Sequence, residues 1–542
     1  MNILVIGGVA AGTKAAAKLK RELGNDCSIT LITKSDYVSF AGCGLPYYVG
    51  GSIKTREELV VNSPEKFARL TGVNVRCGVE ATAVDTQGHT VTATNENGDT
   101  ELIRYDKLII AAGAESIVPP IEGAGLKNVF TMRTPGDGDA IREAAKQAKR
   151  ALIVGGGFIG LELAENLLSA GIRPMIVEMA PHILPGFDAD FAEYAQAKLL
   201  EAGIGVLTDT RLVAINGNEK VEGAMTDKRK LKTDMVVLCA GIRPCTAFLK
   251  DSGIAMDKRG LISVDAHMRT SAPDVYAAGD CVNVFNRMTH SVQWSPMGSS
   301  ANMEARLLAM NIAGKEEEYP GVLGTAVVKL AGLNAAKTGF CHSAAIAAGF
   351  DAESVVIATD DKAHYYPGSE VMSIRLTCDK RTGKLIGAQA IGKGCVDKVI
   401  DVAVTAISLG ADVYQLQNMD LCYAPPFSTA IHPFSVAVTA LINKLSGAMD
   451  SIDAQGYGAI AGEAKLISVT ETSNLPAEKN IPNHYFADIN GPIDGLDKAD
   501  KIVLVCNKGK QAYFAQNRLR RFGYTDTYVL EGGSVFNEQL FE

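Results

Sequence analysis

Apolar and polar positions along the chain alternate between short aliphatic runs and longer stretches of helical spacing, and one three-part unit occurs twice. The run Ile3 to Ile6 stops at Gly7 and Gly8 and passes, after Gly12, into an Ala- and Lys-rich segment; VGGGFIGLELAENL from Val154 repeats the order of VIGGVAAGTKAAAKL from Val5. A β-branched and aliphatic run, tightly spaced glycines and a stretch of good helix formers predict strand, turn and helix, the layout of a nucleotide-binding βαβ unit. Two copies predict two bound nucleotides. Further strand-length runs are SITLIT from Ser28, YDKLIIAAG from Tyr105, RPMIVE from Arg173, Met235 to Ile242 and DVYAAGD from Asp274. Between Cys395 and Leu409, residues Val396, Val399, Ile400, Ala403 and Ile407 fall on one helical face, which predicts packing. Ser446 to Ile460 is rich in Gly, Ser and Ala, lacks periodicity, and reads as a linker. Beyond it, KIVLV from Lys501 predicts a buried strand, CNKGKQ from Cys506 a loop, Ala512 to Phe522 a helix and DTYVL another strand.

The 542 residues suit about three or four domains. Hydrophobic residues at 47% and charged residues at 21% exclude a mainly disordered or collagen-like chain. A net charge of -8 supplies no overall basic field for nucleic acid. The eleven cysteines show no CxxC pair, so neither a disulfide scaffold nor a metal site is expected, and a reducing cytoplasm fits best. Glycines interrupt the apolar start and no basic residue precedes it, unlike a signal peptide. No run approaches the roughly 18 apolar residues that cross a bilayer, so no membrane partner is expected.

The second glycine loop is the more regular, with Gly155, Gly157 and Gly160 in place and Glu178 ending the next strand. A carboxylate there accepts hydrogen bonds from both ribose hydroxyls and repels a 2′-phosphate, which favours NADH over NADPH. In the first loop Val9 holds the middle position, and Thr33, followed by Lys34, stands where an acidic residue would end the strand. Asp36 lies three residues beyond Thr33. DVYAAGD ends in Gly279 and Asp280, where glycine admits a diphosphate and a carboxylate can bind a ribityl hydroxyl. With Gly113 this favours a flavin in the first site, and Gly241, after the strand from Met235, is a further cofactor-binding candidate.

These segments resemble the flavoprotein pyridine nucleotide-disulfide oxidoreductases, and SFAGCGLPYYVGG from Ser39 narrows the resemblance to the single-cysteine group. Within it the chain is similar to coenzyme A disulfide reductases and NADH-dependent persulfide reductases with a C-terminal rhodanese domain. RPCTAFL from Arg243, PMGSSAN from Pro296, YYPG from Tyr365, GAQAIGKGCVDKVID from Gly387 and YAPPFS from Tyr423 extend the match. The fold class implied is α/β: two Rossmann-like domains, with the FAD domain (1–115 and 240–315) split around an NAD domain (116–239). An α+β dimerisation domain (316–445), the linker (446–460) and a degenerate rhodanese-like domain (461–542) follow. The resemblance implies a homodimer whose active site is shared between subunits.

Cys43 lies between Gly42 and Gly44, and Pro46 suits the first turn of a helix, so the sulfur is expected at the positive helix end with a lowered pKa. A thiolate is the nucleophile of disulfide exchange. Glutathione reductase relatives carry a second cysteine five positions on, where this chain has Tyr48. The resemblance therefore implies a mixed disulfide or persulfide on Cys43, reduced to thiolate with release of a small thiol or sulfide. Coenzyme A is the implied substrate or ligand, with Tyr365, Tyr366 and Tyr423 at the matching positions, Arg21 and Ser39 on the predicted entry side, and Gly42 where the family often has Asn. The Tyr423 phenol can protonate a departing thiolate. His432 in AIHPF resembles the histidine-proline that supplies the acid-base partner in glutathione reductase relatives. The tail resembles a rhodanese loop around Cys506, with Lys508 and Lys510 as sources of positive charge and Gln511 in place of the usual arginine.

Two other readings share these residues. A water-forming NADH oxidase or peroxidase has the same fold and single cysteine but typically a histidine where this chain has Ala10. A redox sensor or sulfur carrier would use Cys43 and Cys506 without turnover.

Overall fold

The computed structural model describes residues 1–541 apart from residue 474. Two compact units form: residues 1–180 with 207–322, and residues 181–206 with 323–542.

In the first unit the repeated pattern becomes two parallel sheets. One has the strand order Val275–Ala277, Lys107–Ile110, Asn2–Ile6, Ser28–Ile32, Asn74–Arg76. The other places Val129–Thr131, Met235–Leu238, Arg150–Val154 and Arg173–Val177 side by side. Strands covered on both faces must be continuous aliphatic runs, and Val5, Leu31, Leu108 and Ile109 are all 0% exposed. Each such side chain contributes about 1.5–3 kcal/mol of burial. The register aligns Ile6 with Ile32 and Ile110, and Val154 with Val177 and Leu238, so both glycine loops leave the same end of a central strand. That is where open α/β sheets bind ligands. Each half also carries a three-stranded antiparallel sheet, Val79–Asp85 with Thr90–Asn95 and Thr100–Arg104, and Leu212–Gly217 with Val221–Thr226 and Lys230–Leu231.

The second unit holds a five-stranded antiparallel sheet in the order Ala326–Leu330, Leu333–Gly339, Leu385–Gly392, Val371–Asp379, Ala352–Asp360. Helices Val396–Leu409 and Pro433–Leu445 pack on it. The striped face of the first is buried at Val396, Val399, Ile400, Ala403 and Ile407. The tail forms a parallel sheet of Ser451–Ile452, Thr527–Leu530, Ile502–Val505 and Lys465–Ser468 with helix Lys510–Arg521.

Two expectations about organisation change. The segment 446–460 is not an unstructured linker: Ser451 and Ile452 pair with Val529 and Leu530, and Asp453 caps helix Ala454–Ile460 through the Gly456 amide at 2.8 Å. A two-residue strand leaves no periodicity, and glycines at 456 and 458 hide a short helix. Residues 181–206, expected within 116–239, belong to the second unit. There the buried Arg375 guanidinium bonds Asp190 at 2.8 and 3.0 Å and pairs with Asp188 at 2.9 Å. Burial raises the Asp188 carboxyl, but Arg375 and the amides of His342 and Ser343 outweigh it and hold it at about 2.

Candidate active site

Both glycine loops are built by the same steric demands. Gly7 and Gly155 take φ 111 and 118, and a Cβ on either would run into a carbonyl of the neighbouring strand, Ala111 and Cys239 respectively. Gly12 and Gly160 lie against the carbonyls of Gly7 and Gly155, so helices Ala10–Leu23 and Phe158–Ser169 start close under their loops. Gly8 packs against Thr33 and Val38. The middle position differs: open space surrounds Gly157, whereas Val9 stands at the start of the first helix. These backbone cradles, which side chains would fill, fit two dinucleotides.

Around the second loop, Glu178 accepts from the Gly156 amide at 2.6 Å and from Ala180 at 2.8 Å, which holds the carboxylate beside the loop. Gly241, at φ 102, accepts from the Ile117 amide. Around the first, Thr33 is buried and its hydroxyl accepts from Ser35 at 3.3 Å, a turn bond. Lys34 is exposed and 3.7 Å from Glu80. Gly113 lies 3.9 Å, through its absent Cβ, from the Arg133 guanidinium, and Arg133 binds Asp280 at 2.6 Å. The Gly279 amide donates to Glu304 at 2.7 Å. Burial pushes the Glu304 carboxyl up to about 7, with the Asp280 charge adding and the Gly279 bond opposing. Neither Arg133 nor Glu304 stood out in the sequence; their partners lie 147 and 25 positions away.

Cys43 sits in the turn Gly42–Gly44 before the short helix Leu45–Val49. The expected lowering of its thiol pKa is not what the site produces. Cys43 is an exposed residue, but partial desolvation of its thiol, then the carboxylates of Glu162 and Asp280, raise it against the pull of Arg133. A helix of five residues is too short for its positive end to outweigh these. Tyr47 donates to Glu162 at 2.9 Å. Tyr48, where relatives carry the second cysteine, donates to Asp139 at 2.7 Å while Arg142 covers its ring at 4.5 Å. Ser39 takes φ 53 and donates its amide to Gly8 at 2.9 Å, and Arg21 is exposed in the last turn of the first helix.

In the second unit Tyr365, Tyr366 and Tyr423 are exposed, and the Tyr423 hydroxyl pairs with Tyr365, which raises the Tyr423 pKa and keeps the phenol protonated. His432 is placed as a helix cap. Its Nδ1 accepts from the Phe434 amide at 3.1 Å as the N-cap of Pro433–Leu445, and burial with nearby Lys398 pushes it down to about 4. The ring is therefore neutral near pH 7, with its N–H on Nε2. Cys506 is buried and its sulfur accepts from the Gly509 amide at 3.2 Å and the Ala512 amide at 3.4 Å, an arrangement suited to an anion. Lys508 does not offer its charge to that sulfur: it binds Asp360 at 2.6 Å. Lys510 lies over the Phe514 ring at 5.8 Å. Among the described residues no group of three His, Cys, Asp or Glu side chains forms a metal site, and no helix is long and apolar enough to cross a membrane.

Two nucleotide cradles at sheet ends, with the exposed Cys43 four residues beyond Ser39 of the first, define a two-dinucleotide redox protein. Residues 1–295 match the pyridine nucleotide-disulphide oxidoreductase family, 325–434 its dimerisation domain and 462–535 a rhodanese-like domain. The chain belongs to that family: it is an α/β oxidoreductase that uses FAD and a pyridine nucleotide. It is 35% identical to an NADH oxidase of Methanocaldococcus jannaschii over 82% of this chain and all of that one. It is 34% identical to an NAD(P)H coenzyme A polysulfide/persulfide reductase of Pyrococcus horikoshii over 81% of this chain and 98% of that one. The solved NAD-dependent persulfide reductase from A. fulgidus matches with TM-score 0.95 and 33% identity, covering 99% of this chain and 100% of that chain.

Proposed function

We propose that this protein reduces coenzyme A disulfide, or persulfide and polysulfide sulfur carried on coenzyme A, at the expense of NADH. The observation that carries this reading is Cys43 alone in its turn, with Tyr48 committed to Asp139 where a second cysteine would close an internal disulfide. Cys43 then has to exchange with an external sulfur. Its thiolate attacks the disulfide, one thiolate leaves, and a mixed disulfide remains; two electrons cleave it, restoring the Cys43 thiolate and releasing the second thiol. With a persulfide the released group is sulfide. Gly7, Gly8, Gly12, Gly279 and Asp280 would hold FAD, which when bound would supply those two electrons from NADH. Gly155, Gly157, Gly160 and Glu178 hold NADH.

FAD binding belongs to 1–115 and 240–315, NADH binding to 116–239, and dimerisation to 316–445. In the homodimer, Tyr365, Tyr366 and Tyr423 of one subunit serve the Cys43 of its partner, and Tyr423 protonates the departing sulfur. Arg21 and Ser39 take the nucleotide end of coenzyme A. Cys506 accepts sulfur from polysulfide. Eleven free thiols fit a reducing cytoplasm.

NADH consumption compared across coenzyme A disulfide, coenzyme A persulfide, glutathione analogues, polysulfide and oxygen tests the reading. Cys43→Ser should abolish sulfur turnover while NADH still bleaches the flavin; undiminished turnover overturns the assignment. The M. jannaschii relative favours an oxidase as the second reading. Oxygen as the preferred acceptor would establish it. Cys506→Ser should slow polysulfide turnover but spare preformed coenzyme A persulfide.

A further inference from the structure

The Cys506 loop is tied to the dimerisation sheet through an edge strand. Ala352–Asp360 lies at one end of the five-stranded sheet, and an edge strand leaves alternate backbone groups without a ladder partner. Side chains and the tail meet them here. The Val356 amide donates to the Glu531 carboxylate at 2.7 Å, the Gly532 amide donates to the Val356 carbonyl at 3.0 Å, and Lys444 donates to the Ser354 carbonyl at 2.8 Å and to Glu531 at 2.7 Å. The residues that follow hold the loop: the amides of Ser534 and Val535 donate to the carbonyls of Cys506 at 2.9 Å and Asn507 at 3.2 Å. At the end of the same strand Asp360 takes the Lys508 ammonium at 2.6 Å, with the two side chains 24% and 33% exposed.

That ion pair decides which charges the Cys506 sulfur meets. Sγ accepts from the amides of Gly509 at 3.2 Å and Ala512 at 3.4 Å, which are neutral donors. The Gly509 nitrogen is separated from the Lys508 Cα by one carbonyl carbon, so its 3.2 Å bond to the sulfur keeps that Cα within about 6 Å of Sγ. An unpaired ammonium on this residue would act on an anion at the sulfur with little screening. Bound to Asp360, it is half of a neutral pair instead. In the helix that follows, Lys510 is held over the Phe514 ring at 5.8 Å and Arg518 donates to the Ala487 carbonyl at 2.6 Å.

We infer that Asp360, by holding Lys508, selects the sulfur donor of Cys506: a molecule ending in a sulfane –S–SH group is accepted, whereas thiosulfate is refused because its sulfonate finds no free cation beside the sulfur. This rests on Cys506 being a sulfur acceptor. In the accepted step the Cys506 thiolate attacks the terminal sulfur of R–S–SH. The new S–S bond forms as the donor's S–S bond breaks, and the electron pair of that bond leaves on R–S⁻. Cys506–S–SH remains, the total charge stays at one negative, and no outside oxidant or reductant takes part. The same attack on thiosulfate brings a thiolate against a small unit with two negative charges and expels sulfite, an approach that two amides alone do not offset. Asp360 is thus a positioning residue that acts through Lys508.

The experiment is persulfide formation at Cys506 in the NADH-free, full-length holoenzyme, followed by alkylation and mass spectrometry of the Cys506 peptide. Glutathione hydropersulfide, inorganic polysulfide and thiosulfate are the donors. Thiosulfate that loads wild-type Cys506 as fast as glutathione hydropersulfide overturns the inference. Asp360→Asn frees Lys508 and should speed loading from thiosulfate about tenfold while changing loading from the two sulfane donors less than about twofold. Adding Lys508→Ala to Asp360→Asn should return thiosulfate to the wild-type rate, a reversal that loss of structure would not produce. No gain in Asp360→Asn, or a gain that survives Lys508→Ala, overturns the role of the pair. Should Asp360→Asn not fold, Gln511→Arg places a cation on the same loop with the tie intact: a gain of about tenfold with thiosulfate supports the charge argument, and an unchanged rate overturns it. Failure of the underlying reading looks different: Cys506 that takes no sulfur from any of the three donors is not an acceptor, and the inference falls with it.

Discussion

The two glycine loops of the first unit share one backbone and differ in what surrounds them. At the outer positions, Gly7 with Gly155 and Gly12 with Gly160 face the same kinds of carbonyl contact, because close passage of helix beneath strand admits no Cβ. At the middle position the first loop carries Val9 and the second Gly157 in open space. The strand ends differ more: Glu178 in the second half reaches back to its own loop, while Thr33 in the first is spent on a turn. In the first half the carboxylates are Asp280, paired with Arg133, and Glu304 behind Gly279. The two loops thus share their backbone geometry and differ in their strand-end side chains.

The largest effect should come from breaking each loop separately. Gly7→Val and Gly155→Val each force a branched residue to φ above 100 against a carbonyl, costing on the order of 3 kcal/mol locally. The first should purify without flavin absorbance. The second should stay yellow yet fail to be reduced by NADH. Flavin lost equally from both would mean that the loops are not independent sites.

Glu304 sharpens the contrast through pH. The folded chain keeps its proton up to about 7 against an ordinary value of 4.5, so between those values the native state binds more protons than the unfolded one. Stability is therefore full below the lower value and falls as pH rises, by about 3 kcal/mol in all. Glu304→Gln should flatten that part of a urea-unfolding profile taken from pH 5 to 8. A profile as steep as the wild type's would show that another group carries it.

Glu178→Ala tests the other side of the comparison. Loss of the carboxylate should weaken the preference for NADH over NADPH by about 1 to 3 kcal/mol, read from kcat/KM with each cofactor. Equal use of both cofactors by the wild type would contradict the role. The smallest effect belongs to Val9→Gly, which gives the first loop the second loop's middle residue. It should retain FAD and change stability by less than about 1 kcal/mol; release of flavin would assign Val9 a part in the cradle.

What the amino-acid order determined by itself is what neighbours in sequence decide sterically. A strand, a glycine turn and a helix are written within about fifteen residues, and both loops, the buried strand Ile502–Val505 and the striped helix Val396–Leu409 follow from such local patterns. The pairing Tyr47–Glu162 spans 115 positions, Arg133–Asp280 147 and Lys508–Asp360 148, and no local pattern signals them. Burial first, and then the distant carboxylates of Glu162 and Asp280, raise the Cys43 thiol against the expectation, and Asp360 takes Lys508 from the sulfur of Cys506. The His432 cap is local by contrast, a bond to the Phe434 amide two residues on; elsewhere a charge takes its chemistry from the groups that packing brings within a few ångströms, and only the tertiary structure chooses those groups.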